Sequence, residues 1–157
     1  MQQSWLSAFL PFRLNGVADA MSRRVSRIYA DRHAMTRPEW RVLAIMGETE
    51  SVTATALGRR STMHKTKVSR AVASLEKRRW LVRERSTEDR RVELLSLTRQ
   101  GRRSYRDLVP ALEAAEADML SGLTGAQVAQ IREALDMLED ALGLGAPERP
   151  GRSRPGR

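Results

Sequence analysis

The sequence contains no cysteine among its 157 residues. This absence excludes disulfides, thiolate nucleophiles, cysteine-rich zinc sites and thiol-based sensors of oxidants. No apolar run approaches the roughly 20 residues that a membrane-spanning helix needs. The short apolar stretch at residues 5–12 has no cationic leader before it, so we expect neither a membrane anchor nor a signal peptide. A cytoplasmic, reducing location fits these absences.

Histidine is also scarce, because only His33 and His64 are present. No pair of side chains stands at metal-ligand spacing, although Asp31, Glu39 and Glu48 are carboxylates in the same part of the chain. No nucleophile is recognisable beside a general base either. We therefore predict no metal site, no cofactor, no catalytic residues and no enzymatic activity.

Acidic residues are few in one block of the chain, which is strongly basic. Residues 59–106 hold 16 lysines and arginines against five acidic residues, whereas residues 107–142 carry a net charge of −7. The net charge of the whole chain is +9, which is smaller than the positive excess within residues 59–106. The positive charge is therefore concentrated in this block. Nucleic acid is the leading partner for such a block. A membrane surface is a weaker alternative, because the block has no large aromatic-rich amphipathic face.

The N-terminal part is predicted to be helical. Apolar residues at steps of three and four favour one helix over residues 4–31, with Pro11 in its first turn or at a kink. A second helix over residues 36–48 begins with a capping box of Thr36 and Glu39.

The basic block is predicted to fold as helix, turn, helix and hairpin. Thr53 caps a short helix that ends near residue 60. A turn leads to a second helix over residues 64–78. Residues 80–82 and 92–97 read as strands joined by a charged turn. Together with the preceding helix, this order of elements is typical of a winged helix.

The C-terminal part is again predicted to be helical. A helix over residues 99–120 contains Pro110 at an expected kink, and a capping box of Thr124 and Gln127 starts the last helix. Its heptad-like apolar seam is as typical of packing within one chain as of a dimer. The basic tail at residues 143–157 is too poor in apolar residues to fold, so we expect it to be disordered.

The helix over residues 64–78 has two chemically different faces. Val68, Val72 and Leu75 are spaced so that they bury one face. A helix with a buried back and a cationic, hydrogen-bonding front fits the major groove of DNA, where arginine pairs with guanine. The alternative is a solvated helix face, and the sequence does not separate base contacts from phosphate contacts. The residues on or beside the front are Lys65, Thr66, Lys67, Ser69 and Arg70.

Three motifs identify the family that this sequence resembles. They are the wing motif Asp89-Arg90-Arg91, the segment LTRQG at residues 97–101 and the segment TRPEWRVLAIMGE at residues 36–48. With them, residues 10–142 resemble the MarR family of winged-helix transcriptional regulators. The resemblance implies a two-fold dimer held by the terminal helices, with a ligand crevice between the dimerisation and DNA-binding parts.

The predicted architecture combines the residue patterns with this resemblance. The fold is mainly α with a small β-hairpin wing, in a single domain over residues 1–142. A winged helix-turn-helix at residues 36–98 is flanked by dimerisation helices at residues 4–31 and 99–142. Two positions depart from the family, because Arg79 and Thr62 stand where glycine is frequent. An arginine at the end of a helix must adopt a left-handed conformation at some cost, or the helix must end differently.

The resemblance also implies a role for the wing. Arg91 would enter the minor groove and Asp89 would steady it, with Arg90 beside them. A narrow minor groove concentrates negative potential and favours a guanidinium, whereas the alternative is a surface ion pair of little value. Further candidates for phosphate contacts, or for solvated surface, are Arg59, Arg60, Arg78, Arg79 and Arg83.

An effector site is predicted in the crevice. Arg13, Trp40 and Arg41 are its candidate residues, because arginine grips a carboxylate and tryptophan stacks on a ring. The resemblance suggests aromatic acids or their thioesters. The alternative places Trp40 in the core and both arginines on the surface.

These inferences favour a homodimeric transcriptional repressor that binds a pseudo-palindromic operator in double-stranded DNA. A small anionic effector would relieve repression, and no membrane partner is expected. One alternative is an architectural protein that binds DNA independently of sequence. Another is a helical enzyme or ligand carrier, which the missing catalytic pair weakens.

Overall fold

The computed structural model of the chain describes residues 5–86 and 91–144. Helices dominate, with a small antiparallel sheet, as predicted. A boundary between two compact units follows Glu116, within the long sixth helix. The elements in chain order are α1 (Trp5–Ala8), α2 (Leu10–His33), α3 (Arg37–Gly47), β1 (Val52–Thr53), α4 (Ala54–Ser61), α5 (Lys65–Lys77), β2 (Leu81–Arg85), β3 (Glu93–Leu97), α6 (Arg99–Met119) and α7 (Gly125–Ala141).

The N-terminal helix is broken, so the prediction of one helix over residues 4–31 is wrong in this detail. Phe9 lies between α1 and α2 in an extended conformation, with φ −72° and ψ 109°. Pro11 occupies the first turn of α2, where the missing N–H of proline has no helical partner to lose. The helix then continues to residue 33, and Ala34 ends it with a left-handed φ of 48°.

Three predicted helix starts are confirmed. Thr36 and Glu39 form both halves of the capping box at the start of α3, and Thr124 and Gln127 do so at the start of α7. Thr53 caps α4 through its side chain. Each cap satisfies backbone N–H groups that the first turn of a helix leaves without partners.

The predicted hairpin is confirmed, and it gains a third strand. β2 and β3 pair antiparallel, with Leu81 opposite Leu97. β1 pairs with the other edge of β3, where Val52 lies opposite Leu95, so the strand order is β1-β3-β2. The sequence did not reveal β1 because two residues are too few to show an alternating pattern.

One hydrophobic core joins α2 to α6 and the sheet. Val68, Val72 and Leu75 of α5 lie in it, as the spacing predicted. Burial of each such side chain stabilises the fold by roughly 1.5–3 kcal/mol. The remaining core residues are Tyr29, Met35, Val42, Leu43, Met46, Val52, Leu57, Ala71, Trp80, Leu81, Leu95, Leu97 and Leu108.

The segment LTRQG fixes the start of α6 against the residues between α5 and the start of β2. The Thr98 N–H donates to the carbonyl oxygen of Trp80 over 3.0 Å. The Thr98 hydroxyl donates to the carbonyl of Arg79 over 2.8 Å and accepts the Gly101 N–H over 3.1 Å. A Cβ atom at Gly101 would overlap the Trp80 carbonyl, so this position requires glycine for a close approach of two backbones.

Large apolar side chains remain exposed near both ends of the described chain. They contrast with the core, because each keeps more than a third of its surface accessible. Towards the N terminus they are Trp5, Leu6, Phe9, Leu10, Phe12, Leu14 and Val17. Towards the C terminus they are Leu123, Ile131, Leu135, Met137, Leu142 and Leu144.

Membrane-spanning helices and metal-ligand clusters are both absent from the described residues. None of the helices within residues 5–86 and 91–144 has the length and hydropathy of a membrane span. In the same residues, no three ligating side chains cluster as a metal site needs. The predicted disordered tail falls outside the described chain from residue 145 onward.

Candidate nucleic-acid interface

The helix α5 has the two faces that the sequence predicted. Its buried side packs on the core, and His64 caps its N terminus by accepting the Thr66 N–H at Nδ1 over 3.4 Å. The predicted front is exposed along the first half of the helix, which leaves cationic and hydroxyl groups facing solvent. The exposed residues of this front are Lys65, Thr66, Lys67, Ser69 and Arg70.

Glu39 fixes the orientation of this helix. The carboxylate accepts the N–H and the hydroxyl of Thr36 at Oε2, over 2.6 and 2.8 Å. The other oxygen accepts the hydroxyl of Ser74 on α5, and the Arg78 guanidinium lies 3.9 Å away. Glu39 is only 5% exposed. One carboxylate therefore starts α3 and ties it to α5, whereas the sequence predicted only the cap.

The ionisation of Glu39 follows from these contacts. Burial by itself would raise the pKa of the carboxyl group. The hydrogen bonds from Ser74 and Thr36 and the charge of Arg78 outweigh burial and hold the pKa below its ordinary value. The carboxylate is therefore stabilised in its charged form by groups that belong to two helices.

Arg78, a candidate for a phosphate contact, bonds the backbone at the end of α2. Its guanidinium donates to the carbonyl oxygens of His33 and Ala34, over 2.6 and 2.7 Å, and lies 5.3 Å from the centre of the Trp80 ring. The end of α2 leaves carbonyl groups without helical partners, and these donors satisfy them. The last turn of α5 is thereby attached to the C terminus of α2.

Both departures from glycine adopt left-handed backbones. Arg79 has φ 60° and Thr62 has φ 52°. The first alternative considered for Arg79, a left-handed arginine, is therefore the one observed. At the turn before α5, the Thr62 hydroxyl accepts a hydrogen bond from Arg41 over 3.2 Å. These contacts fix the two ends of α5 at the cost of unfavourable φ values.

The wing is held at its base by Arg83. This side chain bonds Glu76 at the end of α5 over 3.2 Å and Glu93 on β3 over 2.8 Å. These bonds raise the pKa of Arg83. Arg83 thus has carboxylate partners, whereas the predicted phosphate candidates Arg59 and Arg60 are exposed on α4. At the tip, Arg91 is exposed, and the predicted Asp89 and Arg90 lie outside the described residues.

The predicted effector residues are not brought together within one chain. Trp40 stacks between Tyr29 and Tyr105, with centroids 5.9 and 6.5 Å apart. Arg13 precedes Tyr29 by 16 residues on the same helix α2, which is about 24 Å at about 1.5 Å per residue. Arg41 faces the turn at Thr62. Arg13 can join Trp40 in one site only if a second protomer supplies it.

The aromatic stack is itself firmly held. Burial, with a hydrogen bond to Glu48, raises the pKa of Tyr105 to about 12. Burial also raises the pKa of Tyr29, against the lowering effect of Arg37 and Arg41. Trp40 therefore lies among side chains that pack on the core, in line with the alternative interpretation of that residue.

Comparison with known proteins shows what this segment is similar to. A model described as the MarR family matches residues 34–92, from the end of α2 into the wing. No similar protein was found among curated sequences.

Solved structures share the fold over most of the chain. A MarR-family transcriptional regulator from Silicibacter pomeroyi DSS-3 is 28% identical, with a TM-score of 0.77 over 89% of this chain and 99% of that one. CouR from Rhodococcus jostii RHA1, solved with p-coumaroyl-CoA, is 24% identical, with a TM-score of 0.76 over 87% and 95%. A mutant MarR from E. coli is 18% identical, with a TM-score of 0.71 over 83% and 96%. The predicted winged-helix fold is confirmed, and the resemblance to the MarR family is matched over residues 34–92, which are less than half of the chain.

Proposed function

We propose that the chain is a transcriptional regulator of the MarR family and that it acts as a homodimeric repressor whose DNA binding a small anionic ligand relieves. One observation supports DNA binding above all. The front of α5 is exposed and cationic, while its opposite face is packed against the core. In this proposal, the front reads an operator in the major groove, and the wing reaches the minor groove. The wing residues are Asp89, Arg90 and Arg91.

Dimerisation is supported by the exposed apolar side chains near both ends. Val17 is 58% exposed on α2 and Ile131 is 45% exposed on α7. Several exposed apolar side chains along one helix mark an interface in a protein of this size. A two-fold dimer places its two recognition helices about one helical turn of DNA apart, which explains a pseudo-palindromic operator.

Sedimentation tests the dimer directly. The full chain should sediment as a dimer at micromolar concentration, and substituting Val17→Asp together with Ile131→Asp should yield monomers. Deletion of residues 143–157 is the control and should leave the dimer intact. A folded monomer of the unsubstituted chain at that concentration contradicts the proposal.

The ligand part is supported by CouR, whose structure contains p-coumaroyl-CoA, a thioester of an aromatic acid. By analogy, an aromatic acid or its thioester would bind in the crevice, with Trp40 and the partner subunit's Arg13 as candidate contacts. The ligand can weaken DNA binding only if it binds better to the spacing of recognition helices that does not fit the operator.

Arg70→Ala tests sequence reading. Arg70 is exposed and faces away from the core, so the substitution should leave the melting temperature unchanged. Loss of a base contact should cost about 1–3 kcal/mol per half-site on the operator and relax the preference at one base position. Arg24→Ala, an exposed arginine on α2, is the matched control and should bind like the unsubstituted chain.

The second candidate function is an architectural DNA-binding protein, favoured by the size of the basic block. Operator fragments selected from genomic DNA decide between the two. A regulator should prefer its operator over random DNA by ~10³ or more. If Arg70→Ala lowers the affinities for operator and for random DNA by the same factor, Arg70 does not read sequence. That outcome supports the architectural candidate.

A further inference from the structure

A cationic cleft opens beside the N terminus of the recognition helix. It lies between the first turns of α3 and α5 and the turn that precedes α5, and its volume is about 380 Å³. Arg37, Arg41, His64 and Lys67 line it. This cluster was not predictable from the sequence, because its members come from two segments that are separated by more than twenty residues.

The cleft has an excess of positive charge without compensation. None of its lining residues is acidic, since the others are Pro38, Thr62 and Met63. Among residues 5–86 and 91–144, no ion pair is formed by Arg37, Arg41 or Lys67. Arg78 and Arg83 differ, because both have carboxylates close by. Like charges that converge without a counter-charge favour binding of an anion.

Arg41 is also held in place. Its Nη2 donates to the Thr62 hydroxyl over 3.2 Å, and Thr62 has the left-handed backbone that turns the chain towards α5. A guanidinium oriented by a neutral partner keeps its remaining donors for a ligand, and its planar fork matches the oxygens of a phosphate. The cleft is therefore organised for an anion.

We infer that this cleft binds a phosphate group of the DNA backbone next to the segment that α5 reads, with Arg37 and Arg41 as the ligands. This inference rests on the proposed DNA binding, because Lys67 belongs both to the cleft and to the front of α5. It moves Arg41 from the effector site, where the sequence placed it, to the DNA interface. A phosphate contact attaches and aligns the protein without reading sequence.

The test compares Arg37→Gln and Arg41→Gln with the control Arg24→Gln across a salt series, using operator and random duplexes. Each cleft variant should weaken both duplexes by the same factor. It should also reduce the slope of log K against log salt by about 0.9, as expected for one lost phosphate contact. Arg41→Lys should recover much of the slope. Melting curves verify that each variant is folded, and an unchanged slope in both cleft variants overturns the inference.

Two further arms separate other sources of the anion and other roles. Inorganic phosphate replaces chloride at constant ionic strength, and isothermal titration measures its binding to the free protein. Saturable phosphate binding that Arg41→Gln abolishes, combined with an unchanged DNA slope, assigns the cleft to a free phosphate compound and overturns the inference. Loss of the effector response in Arg41→Gln with intact DNA binding assigns it to the effector site, with the same consequence.

Failure of the proposed function has a different signature. In that case the unsubstituted chain shows no operator preference and Arg70→Ala has no sequence-dependent effect. The slope change in the cleft variants is measured on random DNA as well, so it stands or falls independently of operator recognition.

Discussion

The winged-helix segment, residues 34–101, and the terminal helices use the same apolar spacing for different purposes. In the winged-helix segment, Leu57 and Leu75 are fully buried, and polar contacts such as those of Glu39 connect its helices. On the terminal helices, Val17 and Leu135 keep 58% and 44% of their surface exposed. The comparison teaches that helical periodicity identifies a face that must be covered, but not whether the same chain covers it.

Truncating one leucine in each region gives the largest contrast. Leu57→Ala should lower the free energy of unfolding by about 2–5 kcal/mol, because it leaves a cavity in the core. Leu135→Ala should act chiefly through subunit association, so its effect should shrink as protein concentration rises. Urea unfolding at two protein concentrations measures both. If both variants lost the same free energy of unfolding at both protein concentrations, the two regions would not differ in how their apolar faces are covered.

Replacing one carboxylate in each region sharpens the comparison through pH. Because the folded-state pKa of Glu39 lies below its ordinary value of 4.5, its stabilising effect is complete above that value and is lost as pH falls through the lowered pKa. Glu39→Gln should cost about 1.5–3 kcal/mol at pH 7, as for hydrogen bonds to a charged group. It should also flatten the dependence of stability on acid pH.

The exposed Glu133 of α7 provides the control for that measurement. Glu133→Gln should leave both the stability at neutral pH and its acid dependence close to those of the unsubstituted chain. Melting temperatures between pH 7 and pH 3 test the pair, and a steeper acid loss in Glu39→Gln than in the parent would refute the role assigned to the carboxylate.

Alanine substitutions at two glycines should change the stability of the fold in opposite directions. Gly101→Ala places a Cβ against the Trp80 carbonyl and should destabilise the fold by about 1–3 kcal/mol, as overpacking does. Gly16→Ala on α2 meets no atom within 4 Å and should stabilise the helix by roughly 0.5–1 kcal/mol. Chemical denaturation of both variants checks the signs. Stabilisation by Gly101→Ala is the contrary outcome.

Two arginines with carboxylate partners should give the smallest effects. Arg83 joins α5 to the hairpin through Glu76 and Glu93, whereas Arg23 pairs only with Asp19 one turn away. Exposed pairs contribute about 0–1 kcal/mol, so Arg83→Met should cost little and Arg23→Met less. Denaturation at low and high salt measures both, and an effect of Arg83→Met that exceeds that of Gly101→Ala would reverse this order.

Local patterns predicted most of the fold. Capping residues such as Thr36 and Thr124 mark helix starts because their partners lie three residues away, and the spacing of Val68, Val72 and Leu75 identifies the buried face of α5. The same spacing also predicts the solvent-facing front of that helix, because the front lies opposite the buried face.

Contacts between distant segments were not predictable in the same way. Ser74 bonds Glu39 across 35 residues, and Arg78 bonds the His33 carbonyl across 45. No periodicity connects such positions, and a surface arginine looks the same in sequence whether it binds a phosphate or a helix end. For this reason the sequence leaves Arg78 open as a phosphate contact or as solvated surface, and it does not indicate that Arg37 and Arg41 converge on one cleft.

The hydrogen bonds from Arg78 to the His33 and Ala34 carbonyls connect two helices mechanically. Two hydrogen bonds join the C-terminal end of α5 to the C terminus of α2. We therefore expect a tilt of α2 to change the orientation of α5. Loosening the joint with Arg78→Lys should therefore leave each helix formed while uncoupling their orientations, a change that distance measurements between spin labels on α2 and α5 would register as a broadened distribution.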